Sequence, residues 1–174
     1  MAPEEPQASC FVCRKHREQG YLVPGGPVGA DDLVVVSHLS PGAPGRSGHP
    51  VYLGHLLVEP RRHAPGLPDL TGAEAERVGW WCTAASQALR DAAGAEHVYA
   101  MVIGDKVDHL HVHLLPRYPG TPPEYWWDRV DEWPSARRGL EPEITGLVQR
   151  LRARLPQRGN QLSRGGNRLE VDRA

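Results

Sequence analysis

The run Asp108-His109-Leu110-His111-Val112-His113-Leu114-Leu115-Pro116-Arg117 constrains this chain more than any other stretch. Three histidines alternate with apolar residues. Strict alternation predicts a half-buried β-strand, because successive side chains point to opposite faces. Leu110, Val112 and Leu114 are then expected to face a core. His109, His111 and His113 would line the other face, neighbours about 6.5–7 Å apart. Packing gives no reason for three imidazoles in a row. Imidazole titrates near neutral pH, acts as nucleophile or base, and ligates metals. The row therefore reads as a reaction centre on a rigid strand, against the bland alternative of three buried histidines.

Around that strand there is room for one domain with a real core, since the chain has 174 residues. The formal net charge of −1 supplies no global field to attract nucleic acid or acidic membranes. No apolar run approaches the ~20 residues that span a bilayer. Met1-Ala2-Pro3-Glu4-Glu5-Pro6 lacks the positive start and apolar segment of a signal peptide, which leads us to expect a cytoplasmic protein. We expect a loose leader over 1–8, one domain over 9–155 and a polar, disordered tail over 156–174.

Cys10-Phe11-Val12-Cys13 can chelate zinc or work as a redox dithiol. A redox reading wants a strand before the motif, and only a short leader precedes it. Zinc needs two more ligands, and histidine is the natural supplier. Cys82 falls on the apolar stripe of a helix and is expected to be a small core residue.

The other elements follow from periodicity and punctuation. Leu33-Val34-Val35-Val36 predicts a buried strand, residues 40–50 a Pro/Gly loop, and Tyr52 to Glu59 another strand. Thr71 and Glu74 have capping-box spacing, and Gly94 is a helix stop. Val78, Trp81, Cys82, Ala85, Leu89 and Ala92 give the helix between them one apolar face. His97 to Ile103, a tight turn at Gly104-Asp105 and the histidine strand predict an antiparallel hairpin. Tyr118 to Trp133 is rich in Pro and Trp without periodicity. Pro142, Ile144, Leu147, Val148, Leu151 and Leu155 mark a C-terminal helix.

His109-Leu110-His111-Val112-His113-Leu114-Leu115 resembles the histidine triad (HIT) signature, and Pro116-Arg117 resembles its fragile-histidine-triad branch. Gly54-His55-Leu56-Leu57-Val58-Glu59-Pro60-Arg61-Arg62-His63 is similar to the family's Gly-His-strand-Pro-basic-basic-His segment. Cys10-x-x-Cys13 resembles the N-terminal pair of zinc-carrying members. The likeness runs over roughly residues 9–118. It implies an α+β fold: an antiparallel sheet of about five strands with one long helix packed on it. It also implies a nucleotide in a cleft over the histidine strand, cleavage or transfer at the α-phosphate, and a homodimer.

By the same resemblance His111 is the nucleophile, forming a covalent nucleotidyl-histidine. His113 contacts the phosphate or the bridging oxygen where charge develops. His109 joins Cys10, Cys13 and His63 around one structural zinc per chain. There are departures. Where many members carry an Asp or Asn for the ribose, this chain has Val36-Ser37-His38, and the following loop is enlarged. The usual Gln and Ser/Thr phosphate contacts stand as Asp105 and Lys106. Candidate nucleotide contacts are therefore Lys106 as a point charge, His38 against the nucleoside, and Arg117 on a polyphosphate, each against an ordinary loop or surface role. Glu124-Tyr125-Trp126-Trp127 can stack on a ligand, cover the sheet or form an interface. Three functions compete: a nucleotidyl hydrolase or transferase, a metal-dependent hydrolase using the histidine row, and a non-catalytic nucleotide-binding module.

Overall fold

The computed structural model describes residues 9–18 and 23–156. The expected 1–8 leader, and the 156–174 tail beyond residue 156, lie outside the described residues. In chain order the elements are helix α1 (Phe11–Glu18), strands β1 (Gly29–Ala30), β2 (Val34–His38), β3 (Val51–Tyr52) and β4 (Leu56–Pro60), and helix α2 (Gly72–Ala93). Strands β5 (His97–Met101), β6 (Val112–Arg117) and β7 (Arg138–Gly139) and helix α3 (Glu141–Arg152) complete the chain. Five strands form one sheet in the order β1-β2-β4-β6-β5, every neighbouring pair antiparallel. Strands β3 and β7 form a separate two-stranded ribbon. This is the expected α+β architecture. No helix among the described residues is long and apolar enough to cross a membrane.

Helix α2 starts and stops where its caps dictate. The Thr71 side chain accepts from the Glu74 N–H, Glu74 reaches back to the Thr71 N–H, and Gly94 ends the helix in the left-handed region at φ 74°. Val78, Trp81, Ala85 and Leu89 bury one face, whereas Cys82 and Ala92 are only partly buried. The Cys82 thiol is pushed up to about 11 by burial, so it stays protonated and inert. The buried carboxylate of Asp31 fastens α2 to the sheet: Arg77 and the Trp81 indole N–H donate to its Oδ2, and the Leu33 and Val34 N–H groups to its Oδ1.

Three local expectations need correction. The strand expected over Tyr52 to Glu59 is two strands, broken at Gly54, whose φ is 92°. A Cβ there would lie 2.6 Å from the Tyr118 hydroxyl and 2.7 Å from Pro116 Cγ, so only glycine fits. The hairpin exists, but β5 ends at Met101 and β6 begins at Val112, so residues 102–111 form a long connection, not a tight turn. Only His113 of the histidine row lies within the paired strand. Lastly, Cys10-Phe11-Val12-Cys13 opens a helix that periodicity did not reveal. Its eight residues are too few to stand alone in water. The buried Lys15 holds it instead, donating to Glu59 Oε1 at 2.6 Å and Ser37 Oγ at 3.1 Å on the sheet.

Candidate functional site

The face of the sheet that carries the site is set by register. In antiparallel pairing, residues directly opposite share a face. Leu57 and Met101 flank His113, and Tyr99 lies opposite Leu115. Their alternates Val58, Val112 and Leu114 point the other way, and Leu114 and Ala100 line a groove with Cys82 and Ser86 of α2. The site therefore occupies the face away from α2.

At one end of the row lies a closed cluster. The His109 Nδ1 is 3.5 Å from Cys10 Sγ and 3.4 Å from Cys13 Sγ, and the His63 Nδ1 is 3.6 Å from Cys13 Sγ. All four donor atoms lie within 4.8 Å of one another. A tetrahedron with zinc–sulfur bonds of ~2.3 Å and zinc–nitrogen bonds of ~2.0–2.1 Å has sulfur–nitrogen edges of about 3.5 Å. The four residues can hold a metal, and the spacing fits one of that size. His109 is fully buried, and its Nε2 lies 2.8 Å from the Pro60 carbonyl oxygen. That ring nitrogen therefore carries the hydrogen and donates it, leaving the Nδ1 lone pair facing the thiols. Burial lowers the His109 pKa to about 4, which keeps the ring neutral.

Two residues on, the ring is used the other way round. The His111 Nδ1 donates to the carbonyl oxygen of His109 at 2.6 Å. Its Nε2 is left with the lone pair and makes no hydrogen bond among the described residues. The ring is half-buried. The His113 ring packs edge-on to it, centroids 4.8 Å apart. The His113 Nδ1 lies 2.8 Å from Nε2 of the buried His55, whose own Nδ1 has no partner. A buried N–H without an acceptor is costlier than an unused lone pair. The network therefore favours His55 donating through Nε2, so that His113 keeps its hydrogen on Nε2. Burial first, and then the neighbouring His111, lower the His113 pKa to about 4. Burial, the His113 ring and the charge of Arg46 on the enlarged loop hold His55 well below the ordinary value. His55 appeared in the sequence only as part of a longer segment. Its signal was a lone imidazole between a glycine and a buried apolar strand.

The three expected nucleotide contacts are not brought together. His38 is 1% exposed, donates through Nδ1 to the Leu39 carbonyl and accepts the Gly54 N–H at Nε2. It is a satisfied core histidine on the α2 side of the sheet. Lys106 is exposed on the 102–111 connection. Arg117 shares the face of His113, but its guanidinium lies 4.1 Å over the Trp126 ring and close to Glu96.

A second buried group went unread in the sequence. Glu59 is fully buried, accepting from Lys15 and lying 3.0 Å from His16 Nε2. Burial alone would raise its pKa, but Lys15 and His16 more than offset that and hold it at about 2.

A sheet of this order with a row of imidazoles on its open face defines a class, and comparison with known proteins identifies it. The model of the HIT domain family matches residues 29–120, more than half of the chain. The chain belongs to the HIT domain family, whose members are typically nucleotide hydrolases or transferases. An uncharacterized HIT-like protein of Borreliella burgdorferi is 28% identical over 116 residues, 63% of this chain and 76% of its own. Among solved structures, a HIT-like protein from Bartonella henselae superposes with a TM-score of 0.62 at 20% identity, covering 84% of this chain and 97% of its own. A zinc-bound histidine triad protein from Mycobacterium smegmatis superposes with a TM-score of 0.60 at 18% identity, covering 83% and 94%. These two likenesses concern the fold.

Proposed function

We propose that the protein is a nucleotidyl hydrolase or transferase that acts at an α-phosphate through a covalent adduct on His111 Nε2. The observation that carries this reading is the hydrogen bond from His111 Nδ1 to the His109 carbonyl. It ties up Nδ1 and turns Nε2 outward on the half-buried middle ring of the row. In the first step the Nε2 lone pair bonds to phosphorus, the bond from phosphorus to the leaving oxygen breaks, and that oxygen keeps the electron pair. A phosphate leaves as an anion and needs no proton, whereas the amine of a phosphoramidate, which leaves by its nitrogen, takes a proton from water as its bond to phosphorus breaks. His113, holding a hydrogen on Nε2, donates a hydrogen bond where this charge develops. In the second step water or another acceptor bonds to phosphorus, the P–N pair returns to His111, and the acceptor's proton goes to solvent. Burial keeps the neighbouring His55 and His113 rings neutral, so neither places a positive charge beside His111.

Cys10, Cys13, His63 and His109 would hold one zinc ion with two thiolates and two imidazoles. A closed set of four protein ligands makes it structural. Bound there, it supplies a cross-link between α1 and the approach to β6. The reading of the row as a shared catalytic metal site has less support, because the His109 lone pair faces the two thiols and the favoured His113 tautomer carries its hydrogen on Nε2. The test is turnover of dinucleoside polyphosphates and nucleoside phosphoramidates by His111→Ala: collapse on both is expected, and an unchanged rate on both contradicts the reading.

A further inference from the structure

The most exposed large apolar side chain on the described surface is Trp127, at 69%. Its backbone lies in the left-handed region at φ 68°, where a bulky residue is rarely found. The ring lies flat on Tyr99, centroids 5.3 Å apart and planes 25° from parallel. Tyr99 is buried beneath it. Trp126, one residue earlier, is treated differently: its indole N–H donates to the Thr121 carbonyl at 3.0 Å, and the Arg117 guanidinium covers its face. Trp126 is a packing residue. Trp127 has one face seated on Tyr99, and its indole makes no hydrogen bond among the described residues.

Register ties this ring to the reaction centre. Tyr99 is opposite Leu115 and Met101 is opposite His113, so Tyr99 and His113 share a face two residues apart along the strands. Two residues of strand are about 6.5–7 Å. From His113, a substrate running along β6 meets Tyr99 and its Trp127 cover next.

We propose that Trp127 is a stacking platform for a flat aromatic base on the leaving portion of the substrate, so that the protein prefers leaving groups carrying a second nucleoside. This rests on the nucleotidyl-histidine reading for its chemistry, but the stack itself does not require turnover. A base–aromatic stack is sequence-tolerant and worth about tenfold or more in binding.

The test compares two substrates with the same nucleotidyl half: a dinucleoside triphosphate and a nucleoside triphosphate, whose leaving pyrophosphate carries no ring. The ratio of their kcat/KM values is read in wild type, Trp127→Ala and Trp127→Phe. Trp127→Ala should lower the ratio about tenfold, and Trp127→Phe, which keeps a flat ring, should restore most of it. A second readout needs no catalysis. In the His111→Ala background the dinucleoside triphosphate should quench tryptophan emission, and the quenching should fall sharply in the His111→Ala/Trp127→Phe protein. Quenching that survives this change overturns the platform, as does an unchanged ratio. If instead Trp127→Ala changes the sedimentation coefficient and leaves the ratio alone, the ring contacts a second copy of the chain and the proposal is overturned. Should the nucleophile reading alone be wrong, His111→Ala would still turn over both substrates while the ratio and the quenching respond to Trp127 as stated.

Discussion

His109 and His111 are the same residue type two positions apart, yet they present opposite ring nitrogens. At His109 the Nε2 is tied to the Pro60 carbonyl and the Nδ1 meets two thiols in a sealed cluster. At His111 the Nδ1 is tied to the His109 carbonyl and the Nε2 is left free on a half-open face. One backbone carbonyl in each case decides which nitrogen is presented. The lesson is that a row of histidines specifies a face, while the oxygen beside each ring specifies its chemistry.

The sharpest way to break this contrast is to remove each ring in turn. His111→Ala should lower kcat about a millionfold, the scale seen when a covalent nucleophile is removed, with metal content by elemental analysis unchanged. His109→Ala should lose the metal. If the two variants behave alike, the division of labour is wrong.

The next largest effect concerns how α1, which carries both cysteines, is held. Lys15→Met leaves the Glu59 carboxylate buried with His16 as its remaining partner, and should cost about 3–5 kcal/mol in denaturant unfolding. Lys15→Met with Glu59→Leu should recover most of that, because no uncompensated charge remains. A single variant as stable as wild type would show that the ion pair does not anchor the metal-capable end.

Acid should act on the buried imidazoles and on the paired carboxylates over different ranges. His38 and His113 have folded pKa values of about 4, below the ordinary 6.5, so the unfolded chain binds more protons between these values. Stability from these rings is full above pH ~6.5 and declines as pH falls toward 4. Glu59 and Glu74, held at about 2, contribute stability that is full above the usual carboxylate pKa of 4.5 and declines as pH falls toward 2. The urea midpoint should therefore drop in two stages on acidification. A midpoint flat from pH 7 to 4.5 would contradict neutral buried imidazoles. Smallest is Thr71→Ala, which should cost about 1 kcal/mol by removing the cap of α2 while leaving both ends of the row untouched.

How much of this was legible follows from the range of the forces involved. Helix α2 could be read from its boundaries inward because Thr71, Glu74 and Gly94 act within a turn of themselves. His113 could be assigned a face because alternation is local, whereas His109 and His111 precede the paired strand. Helix α1 could not be read, since its anchor joins Lys15 to a glutamate 44 positions away. Sequence alone could not decide between the two roles of His38 for the same reason: its partners are Leu39 next door and Gly54 across a loop, and only the fold brings the second one close. The cysteine and histidine ligand set was expected from family resemblance, and the fold brings the four donor atoms together. No periodicity contains that information, because the residues span about a hundred positions.

The central claim is that His111 Nε2, unlike His109, bonds to phosphorus. Rapid acid-free quench of turnover, digestion and mass spectrometry should find a nucleotidyl adduct on the peptide holding the row, fragmenting to His111 and absent from His111→Ala. An adduct on another residue, or full turnover with no adduct trapped under any nucleotide, would contradict the account.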